Sequence, residues 1–241
     1  MIRPLLGVMP ARLRATLRRA GVGWVEDPSN TDKASARGAL RAGSIDVEGE
    51  LAQVKRAGAA RSWEEAMMAR ELGRCVSLHP TGHAQVRGVL SLPAWSALLW
   101  TVSGQMYPPS PAAVARLVRA DGGTLHGVVL RNGRLMREPA AVGSVVVAEA
   151  GAIWDGRFVL RERVASGVMD GIGPSARALR HRLRRGRMLP SPVIDTLPVV
   201  CVGAELLMSM QLDYLADGSW PSVQVDYRPV RPLAGAPFLP G

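Results

Sequence analysis

The stretch Gly127-Val128-Val129-Leu130-Arg131-Asn132-Gly133-Arg134-Leu135-Met136-Arg137-Glu138 marks where the chain changes character. Two short apolar-rich runs flank Asn132-Gly133. Both central positions of a tight two-residue turn need positive φ, which Asn and Gly tolerate, so the stretch predicts a β-hairpin. Ala152 to Glu162, AIWDGRFVLRE, repeats the pattern around Asp155-Gly156. Leu197 to Met210, LPVVCVGAELLMSM, predicts a third strand pair with Gly203 at its turn. The spacings differ too much for an internal repeat.

Upstream the periodicity is helical. Pro10 to Ala20 carries Leu13, Leu17 and Ala20 at four- and three-residue spacing, with Pro10 in the first turn and Gly21 as the stop. Arg12, Arg18 and Arg19 fall off that apolar face. Gly49 to Gly73 is helical in composition, with Gly58 weakening its middle. Two further helices are predicted over Pro93–Val102 and Pro111–Ala120; Ser110-Pro111 opens the second and Gly122-Gly123 closes it. Leu92, Trp95, Leu99 and Val102 form one face of the first and are assigned to the core rather than to a ligand. The fold class is therefore α+β, a mainly helical first half followed by a smaller strand-rich carboxy-terminal part. The proline-dense end, Tyr227 to Gly241, predicts a loosely ordered tail.

A chain of 241 residues with 47% hydrophobic and 21% charged residues can bury a sizeable core. Net charge is +10, and Lys33 and Lys55 are the only lysines, so the positive charge is carried by arginine. Its planar fork grips phosphate in two places, which favours a nucleic-acid partner. A GC-rich genome would also write arginine freely. Cys75 and Cys201 lie far apart and no Cys-x-x-Cys pair occurs, so neither a disulfide framework nor a zinc site is indicated. A reduced, cytoplasmic compartment fits best. The early apolar run is broken by Pro10 and followed by Arg12 and Arg14, unlike a secretory signal. Leu90 to Val102 is too short to span a bilayer, so no membrane partner is expected.

Chemistry concentrates in Trp24 to Asp32, WVEDPSNTD. Asp27-Pro28-Ser29-Asn30 has strong turn character, because Pro28 presets its own φ and Asp and Asn side chains bond nearby amides. A plain turn would not need Glu26, Asp27 and Asp32 together. Arg37 and Arg41 follow at a four-residue spacing that would set two guanidinium groups on one helical face. Acids beside paired arginines suit a site that meets both a cation and a phosphate.

Arg3-Pro4-Leu5-Leu6, the following helix, the Trp24–Asp32 loop and the spaced arginines resemble the closing segment of the catalytic domain of the tRNA(Ile)-lysidine synthetase family. Val76–Val86, Tyr107–Val118, Gly123–Val142 and Ile153–Leu160 resemble the middle and end of its alphaproteobacterial members. The resemblance implies a ligase that uses ATP and magnesium to join free lysine to the wobble cytidine of an isoleucine tRNA with a CAU anticodon. It implies a catalytic-domain remnant over 1–45, a helical tRNA-binding domain over 46–123, a strand-rich domain over 124–230 and a flexible tail over 231–241. Glu26, Asp27, Asn30 and Asp32 become candidates for the substrate pocket, Arg37 and Arg41 for tRNA contacts, and a homodimer a further expectation.

Family members carry a phosphate-cradling Ser-Gly-Gly-x-Asp-Ser loop, and that string does not occur here. Ser35 stands where the family usually has an aromatic residue. A truncated or mis-started chain, unable to bind ATP by the family's route, is the resulting expectation. The alternative is a non-catalytic RNA-binding module. In Arg177 to Arg187, RALRHRLRRGR, Arg177, Arg180 and Arg184 align at helical spacing and suit an RNA backbone, although charge runs are commonly just solvated faces. His79 and His83 are four apart, but Pro80 and Gly82 oppose a helix between them and no acid or Cys lies close, so no metal site is assigned. His126 is read as a structural residue at a strand edge.

Overall fold

The structure, a computed structural model, describes residues 5, 7–25, 47–164, 167–171, 189–202, 205–209, 214–215, 224–231 and 233. The chain divides into two compact units, Met1–Ala60 and Arg61–Gly241.

In the first unit, helix α1 (Pro10–Arg19) begins where the sequence predicts, with Pro10 in the first turn and Met9 extended before it. Gly21, at φ +66, ends it, and the Val22 amide donates to the Leu17 carbonyl at 3.0 Å. Arg18 and Arg19 lie in the last turn, where cations complement the exposed carbonyls. No residue of α1 is buried, so the Leu13–Leu17 stripe is only half covered. The beginning of α2 (Val47–Cys75) also falls here, with Glu48 and Glu50 in its first turn. The helix continues through Gly58, where a side chain would meet nothing within 4 Å; the glycine costs about 1 kcal/mol of helix propensity without breaking the element.

Among its described residues the second unit holds the end of α2, further helices and three antiparallel sheets. Strands β1 (Val76–Leu78) and β2 (Ala84–Val86) join β3 (Gly122–Leu125), β4 (Val128–Arg131) and β5 (Arg134–Arg137) in one sheet, in the order β1-β2-β5-β4-β3. The hairpin at Asn132-Gly133 forms as expected: Arg131 pairs with Arg134, and the two turn residues take φ +52 and +67. Two features differ from expectation. Gly122-Gly123 does not merely close a helix but starts β3, and β1–β2 interrupts the helical half.

Helices α3 (Leu92–Ser103) and α4 (Pro111–Arg119) cover this sheet. Ser91 and Ser110 cap them, each Oγ accepting from an amide three residues on at 3.4 Å. The buried face of α3 is Ala94, Trp95, Leu98, Leu99 and Val102, packed with Val114, Leu117, Val128, Leu130 and Leu135. Leu92, expected in that face, is 45% exposed. Leu90, just before the cap, takes the buried place and joins Trp95 in the same cluster, as the staple of a capped helix start does.

The remaining strands form two smaller sheets. Strands β6 (Val146–Val147), β9 (Gly167–Gly171), β10 (Pro198–Val202), β11 (Glu205–Ser209) and β12 (Tyr214–Leu215) run in the order β12-β11-β10-β9-β6. Strands β7 (Ile153–Trp154), β8 (Phe158–Leu160) and β13 (Val225–Tyr227) run β13-β8-β7. A short helix, α5 (Ser191–Ile194), precedes β10. Trp154, Phe158, Leu160, Ile194, Leu197 and Val199 make their shared core. The third predicted pair is present as β10–β11, with a register shift between Val200 and Cys201; its turn at Gly203 lies outside the described residues. The mixed α+β class, with helices early and strands late, is that of the protein.

Candidate functional site

Glu26, Asp27, Asn30, Asp32, Arg37, Arg41, Arg177, Arg180 and Arg184 all lie outside the described residues. Only the approach to the acidic loop is described. There the Arg18 guanidinium stands 5.3 Å from the Trp24 ring centre, a cation held against the loop's first aromatic.

Sequence reasoning missed a buried charge cluster in the second unit. The Asp155-Gly156 turn does take positive φ, +52 and +64. Trp154 pairs with Phe158, however, so three residues rather than two lie in the turn, Arg157 being the third. The extra residue lets Asp155 point inward. Its Oδ1 accepts from Arg137 Nη2 at 2.8 Å and from the Gly143 amide at 2.8 Å; its Oδ2 accepts from Arg137 Nε at 3.0 Å and Arg157 Nε at 2.7 Å. Arg137 also donates to the carbonyls of Gly127, at 2.9 Å, and Ala141. Arg157 Nη2 donates to the Thr196 carbonyl at 2.9 Å. All three charged side chains are essentially inaccessible. Two guanidinium groups thus share one carboxylate, and burial pulls the Arg157 pKa down against the pull of Asp155. Arg157 Nη1 and the nearby Tyr227 hydroxyl are buried with no hydrogen-bond partner. Burial raises the Tyr227 pKa to about 12, with Arg157 opposing. The sequence signal for Asp155 reads as turn chemistry alone and conceals this second use.

Above the cluster sits the loop from β1 to β2. His79 and His83 occupy a turn, not a helix: the His79 amide donates to the His83 carbonyl at 2.9 Å and Gly82 takes φ +80. Their rings stack with centres 4.8 Å apart. The Thr81 amide donates to His79 Nδ1 at 3.2 Å, so that nitrogen is an acceptor. The Thr81 hydroxyl, 2.8 Å from it, then donates to it, and accepts from His83 Nδ1–H at 2.7 Å. Burial first, then His79 and Arg134, lower the His83 pKa to about 4, so the ring is neutral at pH 7. Both Nδ1 atoms are engaged by Thr81, and no group of three or more His, Cys, Asp or Glu that could hold a metal occurs among the described residues. His126 sits in the β3–β4 turn at φ +57, and its Nε2–H donates to the Tyr107 carbonyl at 2.7 Å.

Among the described residues of this unit are two cavities of about 400 Å³ each. One runs along α2, lined by Trp63, Met67, Met68 and Pro93, with Glu64, Glu65 and Glu71 outnumbering Arg61 at its rim. Glu71 is committed to Ser91, accepting from its amide and, at 2.8 Å, from its hydroxyl. Such a rim repels phosphate. The other is polar and cationic, lined by Leu78, His79 and Pro80 on one side and Arg161, Asp226, Tyr227 and Arg228 on the other. No described helix is long and apolar enough to cross a membrane.

Comparison with known proteins places these features in a family context. Residues 1–47 match the PP-loop domain family. Over 90% of its length the chain is 34% identical to the tRNA(Ile)-lysidine synthase of Ruegeria pomeroyi, covering 57% of that protein. It is 31% identical to the one of Mesorhizobium japonicum over 76% of its length and 45% of that protein's, and 30% identical to the one of Brucella anthropi over 65% and 40%. The chain is thus a homologue of the tRNA(Ile)-lysidine synthases across most of its own length. It spans about half the length of the curated relatives it matches.

Proposed function

We propose that this chain acts in lysidine formation, the ATP-driven joining of free lysine to the wobble cytidine of isoleucine tRNA. One observation carries this reading, the similarity to lysidine synthases along 90% of the chain. The excess of arginine, in a protein of net charge +10, supports a polyanionic partner. In this reading residues 1–45 close the catalytic domain, 46–123 and 124–230 hold tRNA, and 231–241 form a tail. Glu26, Asp27, Asn30 and Asp32 receive the lysine ammonium, while Arg37, Arg41, Arg177, Arg180 and Arg184 contact phosphate. Work in the cytoplasm, magnesium as the metal and pairing into a homodimer complete the proposal.

None of the described residues is assigned to ATP or magnesium. The Ser-Gly-Gly-x-Asp-Ser string is absent from the sequence, and no metal-ligand cluster occurs among them. In this reading the chain's own residues supply the acids that face lysine and the arginine contacts to tRNA.

The test supplies the purified chain with isoleucine tRNA, ATP, magnesium and labelled lysine. Lysidine formation predicts ATP-dependent label in the tRNA. Salt-sensitive tRNA binding without any incorporation would instead identify a non-catalytic RNA-binding module. Absence of tRNA binding even at low salt would exclude both.

A further inference from the structure

The geometry points to the cavity between the β1–β2 loop and β13 as a binding site for a nucleoside monophosphate unit, either a free nucleotide or one unpaired residue of an RNA. Its RNA form rests on the tRNA reading above. Its charge comes first. Arg161 Nε pairs with Asp226 Oδ2, and Gln224 Nε2 donates to Asp226 Oδ1 at 2.8 Å. The one carboxylate of the cavity is therefore spent on its own neighbours. Arg228 is exposed, and among the described residues its side chain has no ion-pair partner. Beneath the floor, Arg137 and Arg157 share the single carboxylate of Asp155, and Gly82 packs on both Arg157 and Tyr227: a side chain there would lie 3.0 Å from Arg157 Nη1 and 3.0 Å from the Tyr227 ring. The cavity thus presents an uncompensated guanidinium over a floor with surplus positive charge. An anion with fork-matching oxygens suits that arrangement, and phosphate is one.

The shape supplies the second requirement. About 400 Å³ is far more than a bare phosphate needs and falls within the roughly 300–1,000 Å³ of small-ligand sites. Its lining includes the aromatic residues His79 and Tyr227 together with Leu78 and Pro80. Unpaired bases are held on such surfaces by stacking, while arginine takes the phosphate. The acid-rimmed groove on α2 has an apolar floor but the wrong sign of charge. Of these two cavities among the described residues, the one at Arg228 combines both features.

The test uses the full chain and equilibrium dialysis at low salt with AMP, inorganic phosphate, a short single-stranded RNA and isoleucine tRNA. AMP should bind at least tenfold more tightly than inorganic phosphate, because the rings add to the charge. Arg228→Glu should weaken AMP and the short RNA about tenfold or more, whereas Arg228→Lys, which keeps the charge and loses the fork, should weaken them by a smaller factor. Arg116→Glu, an exposed reversal on α4 outside the cavity, controls for the change in net charge and should leave AMP unchanged. Equal weakening by both reversals, or AMP no tighter than phosphate, would overturn the site. Tight tRNA binding unmoved by Arg228→Glu, with no AMP bound, overturns the site and leaves the lysidine reading standing. AMP binding lost in Arg228→Glu, with no tRNA bound by the wild type, supports a free-nucleotide site and removes the lysidine reading.

Discussion

Gly104 and Gly156 meet backbone to backbone: a methyl group on Gly156 would fall inside the van der Waals envelope of the Gly104 carbonyl oxygen, and one on Gly104 would strike the Asp155 carbonyl. Both residues take positive φ, +67 and +64. The end of α3 is thereby pressed onto the β7–β8 turn. Gly104→Ala and Gly156→Ala should each cost about 3 kcal/mol or more, because left-handed backbone and contact strain add. Urea unfolding should show a lowered midpoint with little change in slope. A loss under 1 kcal/mol would contradict the contact.

Asp155→Asn should be similarly severe. It preserves shape but removes the one carboxylate that neutralises Arg137 and Arg157, at a cost of about 3–5 kcal/mol for uncompensated buried charge. Arg161→Ala, by contrast, breaks a pair that is half solvated and should cost no more than about 1 kcal/mol. Comparing the two by denaturant titration checks whether burial, rather than pairing itself, sets the size of the effect.

His83 makes stability depend on pH. Its folded pKa of about 4 lies below the unfolded value of 6.5, so the unfolded chain binds the extra proton between them. Stability from this group is present above pH 6.5 and is lost as pH falls through about 4. Discounted for the solvent-facing part of the ring, the loss is about 1–2 kcal/mol. His83→Gln should flatten this part of the stability–pH profile between those limits; an unchanged slope would remove His83 as its source.

Gly133→Ala tests the hairpin turn. The residue sits at φ +67, with space for a side chain bounded by the Val86 carbonyl at 3.0 Å. A cost of about 1–2 kcal/mol is expected, read from thermal or urea unfolding.

The proposed arginine contacts predict a salt signature. If Arg177, Arg180 and Arg184 each neutralise one phosphate, replacing all three with Ala should reduce the slope of log affinity against log salt by about two to three units. Filter binding across a salt series measures it, and an unaltered slope would take these residues out of the interface.

Local chemistry made several elements readable before any fold was known. Pro10 and Gly21 bound α1, Ser110-Pro111 starts α4, and Asn132-Gly133 sets the β4–β5 turn, because φ preferences and caps act over a few residues. The candidate loop was legible as composition and family likeness, but its residues lie outside those described, so its geometry remains a proposal. Strands β1 and β2 went unread: three residues each, they carry too little alternation to signal a strand, and β2 is held partly by pairing with β5 some fifty residues on.

Asp155 shows where residue-by-residue reading stops. Its place in a tight turn follows from the Asp-Gly pair, yet its partnership with Arg137 and the approach of His79 to Arg228 follow from no local preference. Linear order settled the alternation of helices and hairpins, since neighbouring residues choose their own torsions. Folding alone selected which distant charges share a dry interior and which residues wall a cavity, because burial strengthens electrostatics and rewards only collective packing.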